Sequence, residues 1–286
     1  MNLLLSLTNG ENVKLLMTMV PLIFSSLNSF AILNGRDANL ANSPAAISVQ
    51  LDVQGKGTCS GVVVDAHLIL TAGHCTEGAL KYDVEIKLTN GPDADTPLKL
   101  KAKRWQTVPK YTPPNSSGKK EPITIQHDLA YIVVQENLLE KLNISPSQLP
   151  KLISSEAELN EALKFSQSKA VSYAYGLFSE RRNTVGIKKE IALDVESIFE
   201  PYFALKVKSS EKKVAMCTGD SGAGLFVTAQ DGQQWLLGIN SAVVFREEEG
   251  CMAKDSYAVF IMTYRHLCWI QSDSKINLGL NNCGIN

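Results

Sequence analysis

The sequence predicts an all-β protein with a short helix near its C-terminal end, and three observations predict it. From Ala45 onward, short β-prone runs are punctuated by Gly, Pro, Asn and Asp. These runs are not separated by the helical stretches of βαβ units, which favours a sandwich or barrel over a parallel sheet. Hydrophobic residues are 44% of the chain and charged ones 20%, enough apolar material for a sizeable core.

The expected strands lie at residues 46–51, 61–64, 83–88, 129–134, 235–239 and 257–261, and an apolar strand covers 62–70. Some alternate polar and apolar residues and others are continuously apolar, as strands buried on one face or on both should be. Glu-rich helical spacing predicts a helix over 155–163, and 264–271 reads as the C-terminal helix. Residues 108–122, rich in Pro, Ser, Gly and Lys, form a surface loop with Lys119 and Lys120 as solvated charge. No internal repeat or low-complexity tract interrupts this order.

The N-terminus differs in kind. An apolar run from Leu15 to Phe24 follows Lys14, and Ser29-Phe30-Ala31 fits the small-x-small rule for signal peptidase. The run is too short for a membrane span, which needs about 20 apolar residues. Residues 1–31 therefore read as a removed signal peptide and 32–286 as the mature domain. Cleavage after Ser25 or Ser26, leaving a short propeptide, is the alternative. Export permits disulfides among the cysteines at 59, 75, 217, 251, 268 and 283, with free buried thiols as the other reading. No C-x-x-C pair is present, which argues against zinc and thioredoxin-like chemistry. A formal net charge of -1 leaves no electrostatic footprint for nucleic acid or an anionic membrane.

Hydrolysing an amide at neutral pH needs a nucleophile, a base and donors for the developing oxyanion. Cys217-Thr218-Gly219-Asp220-Ser221-Gly222-Ala223-Gly224 offers the first and third, because glycines on both sides of a serine let the backbone turn its N–H groups towards one point. Alone, this could be a polar turn. Thr71-Ala72-Gly73-His74-Cys75 ends an apolar run, however, and His127-Asp128-Leu129-Ala130 opens another. In the order His, Asp, Ser, the three segments resemble the trypsin/chymotrypsin-like serine protease family.

The resemblance extends over nearly the whole of 32–286. Ile32-Leu33-Asn34-Gly35 is similar to the start of the active enzymes, 171–176 to the family's Gly-Trp-Gly region with Tyr175 for Trp, and Gly238-Ile239-Asn240-Ser241 to the strand beside the buried aspartate. It implies two six-stranded antiparallel Greek-key β-barrels packed together, closed by a short C-terminal helix. It implies a Ser221, His74, Asp128 triad, an oxyanion hole from the N–H groups of Gly219 and Ser221, and an activation pair between the Ile32 amino group and Asp220. Ser241 should hydrogen-bond Asp128. Ala215, Met216, Ser241, Ala242, Val243 and Ala258 should border the substrate pocket. With no carboxylate at Ala215 and a branched side chain at Val243, that pocket should take small or medium apolar P1 residues. Cys59 and Cys75, and Cys217 and Cys251, fit family disulfides; Cys268 and Cys283 have no obvious family partners, and a bridge between them and free thiols are the two readings.

These implications give a monomeric, secreted or periplasmic endopeptidase acting on protein or peptide substrates, open to protein inhibitors, and needing no metal or organic cofactor. The departures are Gly73 for Ala before the histidine, Ala223-Gly224 for Gly-Pro after the serine, and Asn34 for Gly, which a left-handed conformation at Asn accommodates. A non-catalytic homologue is the competing reading. An α/β-hydrolase fails on order, since it places its serine first.

Overall fold

The computed structural model describes residues 32–38, 44–80, 84–88, 98–112, 126–176, 186–199, 204–244, 250–280 and 283. The expected signal peptide and Lys119 and Lys120 of the expected surface loop lie outside the described residues.

Strand β1 (Arg36–Asp37) leads through a 3-10 turn (Pro44–Ile47) into the first barrel. Its strands are β2 (Ser48–Val53), β3 (Gly57–Asp65), β4 (Leu68–Thr71), β5 (Val84–Leu88), β6 (Leu98–Thr107) and β7 (Ala130–Val134), with the short helix α1 (Gly73–Thr76) after β4. They close in the order β2-β3-β4-β7-β6-β5, every pair antiparallel. Helix α2 (Leu138–Leu142), strand β8 (Lys151–Leu152) and helix α3 (Glu156–Phe165) cross to the second barrel.

The second barrel contains β9 (Lys169–Ala174), β10 (Lys189–Phe199), β11 (Ala204–Ser209), β12 (Gly224–Thr228), β13 (Gln234–Val244) and β14 (Tyr257–Met262). The path β10-β11-β14-β13-β12-β9 closes because β9 also pairs with β10, while β1 and β8 add at β10 and β13. Helix α4 (Leu267–Ser274) follows and buries Leu267 and Ile270. The two expected six-stranded barrels and the C-terminal helix are present. Each barrel is filled from alternate strand positions; in β5, Val84, Ile86 and Leu88 are buried while Glu85 and Lys87 are half-buried.

Two local expectations are corrected. Residues 62–70 are not one strand: β3 and β4 form a hairpin that turns at Ala66 and His67, pairing Val62 with Leu70. An apolar run on both sides of a tight turn is read as continuous when no Gly or Pro marks the turn; here the Asp65 carboxylate accepts the His67 N–H at 2.9 Å and makes the turn itself. Residues 46 and 47 belong to the 3-10 turn rather than to β2. The helix expected over 155–163 is α3, capped by Ser155 Oγ accepting the Glu158 N–H at 3.2 Å.

All six cysteines pair, as Cys59–Cys75, Cys217–Cys251 and Cys268–Cys283. The third bridge folds the tail back along α4, where the Gln271 side-chain Oε1 accepts the Leu278 N–H at 2.8 Å. Among the described residues no helix is long and apolar enough to cross a membrane.

Candidate active site

Register places the first two residues of the site. Thr71 at the end of β4 pairs with Ala130 at the start of β7, so the segment leaving β4 lies beside the segment entering β7. His74 sits in α1 on one and Asp128 on the other. Asp128 is fully buried. One carboxylate oxygen accepts the His74 backbone N–H at 2.8 Å, and the other accepts His74 Nδ1–H at 2.7 Å and Ser241 Oγ–H at 2.5 Å. A buried carboxylate with three donors is well compensated for lost hydration. The bond at Nδ1 fixes the tautomer, leaving Nε2 as the acceptor on a side chain that is 28% exposed.

The absence of a side chain at 73 has a local cause. A Cβ there would lie 3.0 Å from Asp128 Oδ1 and 3.2 Å from the Tyr111 ring. Tyr111 is a site residue that sequence reasoning did not single out. Its hydroxyl donates to Glu77 at 3.2 Å, and burial together with the Asp128 and Glu77 charges holds its ionisation far above the usual tyrosine range.

Ser221 is delivered by the other barrel. Its carbonyl accepts the Ser60 N–H from β3 at 2.7 Å, and Gly222 N–H donates to Asn240 O at 2.7 Å. Gly219 and Gly222 have φ of 90° and 88°, values that glycine adopts without strain. A Cβ at 222 would lie 1.9 Å from Ser60 O, so the backbone of the serine loop can approach β3 only as glycine. The contact was not legible in the tetrapeptide Gly-Asp-Ser-Gly, because Ser60 is distant in sequence.

Asp220 is the second fully buried carboxylate. It accepts N–H groups from Gly176 at 2.9 Å and Cys217 at 2.7 Å. Among the described residues no cation pairs with it, and burial pushes its pKa up to about 7 against those two bonds. A Cβ at Gly176 would fall 2.3 Å from its Oδ1. Ile32 is fully buried in the same apolar cluster as Met216 and Ala223. Leu33 pairs with Ala215, and Asn34, at the left-handed φ of 57°, donates through Nδ2 to Lys213 O at 2.7 Å.

Four of the six expected pocket residues meet. Ala215, Met216, Val243 and Ala258 line a cavity of about 620 Å³ that also carries Lys208 and Lys254. Ser241 and Ala242 do not line it. Cys59, His74 and Cys75 bring potential metal-ligand atoms within 4.8 Å of one another, but both sulfurs belong to one disulfide and offer no thiolate.

Residues 32–270 match the family model described as Trypsin. The chain belongs to the trypsin family. Among curated relatives, this trypsin-family chain is 25% identical over 256 residues to vitamin K-dependent protein C of Mus musculus, covering 84% of this chain and 51% of that protein. It is 23% identical over 247 residues to the inactive CLIP domain-containing serine protease A28 of Anopheles gambiae, covering 79% of this chain and 58% of that one. The chain thus spans about half the length of these relatives. A solved structure of neuropsin, a serine protease expressed in the limbic system of mouse brain, matches with a TM-score of 0.61 at 20% identity. That match covers 85% of this chain and 100% of the other, and shows the shared fold. A disulfide-rich trypsin-family domain is typical of extracellular proteases.

Proposed function

We propose that this trypsin-family chain is an exported serine endopeptidase that cleaves peptide bonds through an acyl-enzyme. The observation that carries the reading is Asp128, buried and held by His74 through both ring and backbone and by Ser241. In this mechanism Ser221 Oγ attacks the scissile carbonyl, His74 Nε2 takes the hydroxyl proton, and the imidazolium later gives it to the leaving amine. Asp128 keeps the imidazole oriented and stabilises its charged form. The N–H groups of Gly219 and Ser221 receive the oxyanion, a donor of that kind lowering the barrier by about 2.7–4 kcal/mol.

Asp220 needs a cation, and the Ile32 ammonium supplies one once the chain is cut before that residue. Removal of 1–31 as a signal peptide would create it during export, to the extracellular space or a periplasm; cleavage after Ser25 or Ser26 would leave that step to another protease. The working form is a monomer acting on protein or peptide substrates and open to protein inhibitors. At the pocket, Ala215 presents no carboxylate to an Arg or Lys P1 side chain and the branched Val243 stands on the wall, which favours small or medium apolar P1 residues; the rest of the cavity lining is mixed, with Glu211 as well as Lys208 and Lys254.

A second reading has one observation in its favour: a relative of comparable identity is named as inactive. A fluorophosphonate probe separates the two. We expect labelling of the chain beginning at Ile32, lost in Ser221→Ala together with peptide turnover except for a small residual rate. Absence of labelling in that chain would establish the binding-protein reading, and a cleavage profile dominated by basic P1 residues would overturn the pocket assignment.

A further inference from the structure

Of the chain's four histidines, two outside the triad meet next to it. His127 Nδ1 lies 3.3 Å from His266 Nε2, with the rings edge to face at 84°. One partner stands immediately before Asp128 and the other immediately before α4, 139 positions apart in sequence. We infer that this imidazole pair is a clasp by which the C-terminal helix positions Asp128, and through it His74, for the peptidase reaction. The inference rests on the function proposed above.

The backbone explains why a clasp is needed. His127 has φ of 54°, a left-handed conformation that a non-glycine residue keeps only where its surroundings over-determine it. Its carbonyl accepts the Leu129 N–H at 2.8 Å, so Asp128 occupies the middle of a three-residue turn whose first residue is strained. Relaxation of His127 would rotate the Asp128 carboxylate away from His74. His266 is a firm anchor: it is buried, its N–H donates to Thr263 O at 2.9 Å, and its carbonyl accepts the Ile270 N–H at 2.9 Å.

The chemistry of the contact makes it sensitive to protons. Two ring nitrogens can share one proton between them, and a second proton at the contact turns attraction into repulsion. Among the described residues, the charged groups acting on the pair are Lys110 on the turn after β6 and Arg265 beside His266. Burial, with Lys110, lowers the pKa of His127; burial, with the neighbouring His127 and Arg265, brings His266 to about 4. The clasp is therefore closed at neutral pH and opens in acid.

The test compares His266→Phe, which fills the space without a hydrogen bond, with His266→Gln, whose amide can donate or accept. For the chain beginning at Ile32, kcat and KM for a peptide substrate are measured from pH 4 to 9, alongside the downfield NMR signal of the His74 Nδ1 proton. In His266→Phe we expect kcat to fall roughly 10- to 100-fold, as small displacements of reacting groups do, with KM within about twofold and the His74 signal shifted. His266→Gln should recover most of kcat, return the signal, and flatten the acid limb. Wild-type kcat and an unmoved signal in folded His266→Phe would overturn the clasp, as would a Gln variant no better than Phe. Where wild type neither turns over peptide nor takes the fluorophosphonate probe, the peptidase reading fails, while the His74 signal still decides whether His266 positions it.

Discussion

The two barrels each bury one aspartate completely, and they treat it differently. Asp128, at the edge of the first barrel, meets two donors of His74 and the hydroxyl of Ser241. Asp220, in the loop of the second, meets two backbone N–H groups and stands with its pKa pushed up to about 7. Burial is the same in both, so burial alone does not decide whether a carboxylate is settled. The donors do. The first carboxylate finds three donors within the folded chain, whereas among the described residues no cation meets the second, the place where we propose that the Ile32 ammonium pairs.

The largest expected effect comes from disturbing the first carboxylate. Asp128→Asn places an amide where Oδ2 now accepts from both His74 Nδ1 and Ser241, and keeps the imidazole from its working tautomer. Peptide turnover should fall by about four orders of magnitude with folding retained. Circular dichroism and kinetics check this, and a loss below tenfold would mean that Asp128 is only a structural hydrogen-bond acceptor.

The second carboxylate gives the next largest effect, on stability. A pKa moved from 3.8 to about 7 corresponds to about 4 kcal/mol between the two protonation states. Because the folded value is raised, the neutral carboxyl of the folded chain contributes stability that is fully present below about pH 4 and lost as pH rises through 7. Uncut chain should therefore unfold more readily at pH 8 than at pH 5, judged by urea midpoints. In chain beginning at Ile32 the ammonium should remove most of that slope. Equal slopes in the two forms would show that Ile32 and Asp220 do not pair.

The smallest effect tests how tightly the surroundings of Asp128 are packed. Gly73→Ala introduces a Cβ at 3.0 Å from Asp128 Oδ1 and 3.2 Å from the Tyr111 ring. A shift of a few tenths of an ångström accommodates it, so turnover should fall by less than about tenfold and stability by about 1 kcal/mol. Adding Tyr111→Leu should restore the loss in a double-mutant cycle. Additive effects would remove Tyr111 as the cause.

Much of this was legible in the chain. His74, Asp128 and Ser221 each sit in a short segment whose neighbours carry the signal, and the left-handed turn at Asn34 follows from its residue type. The cysteine pairs followed from the family resemblance, the Cys268–Cys283 bridge being the one that remained open. Strand β6 was also readable but passed over: Leu98, Leu100 and Ala102 alternate with lysines, although only Leu100 and Ala102 are buried. The hairpin at Ala66 and His67 was not, since its turn is made by an aspartate inside an apolar run.

By itself the sequence determined the order of the His74, Asp128 and Ser221 segments, the all-β texture and the glycines that flank Ser221, because each is a local property of a few adjacent residues. Only the tertiary structure decided that Ser60 holds the serine loop, that Tyr111 crowds Gly73, that Asp220 is buried against two N–H groups, and that His266 reaches His127. Ser60 and Gly219, for instance, are 159 positions apart and meet at 3.5 Å. Contacts of that span depend on how two barrels close and pack, and no pattern along a single strand encodes which side chains will face one another across the cleft.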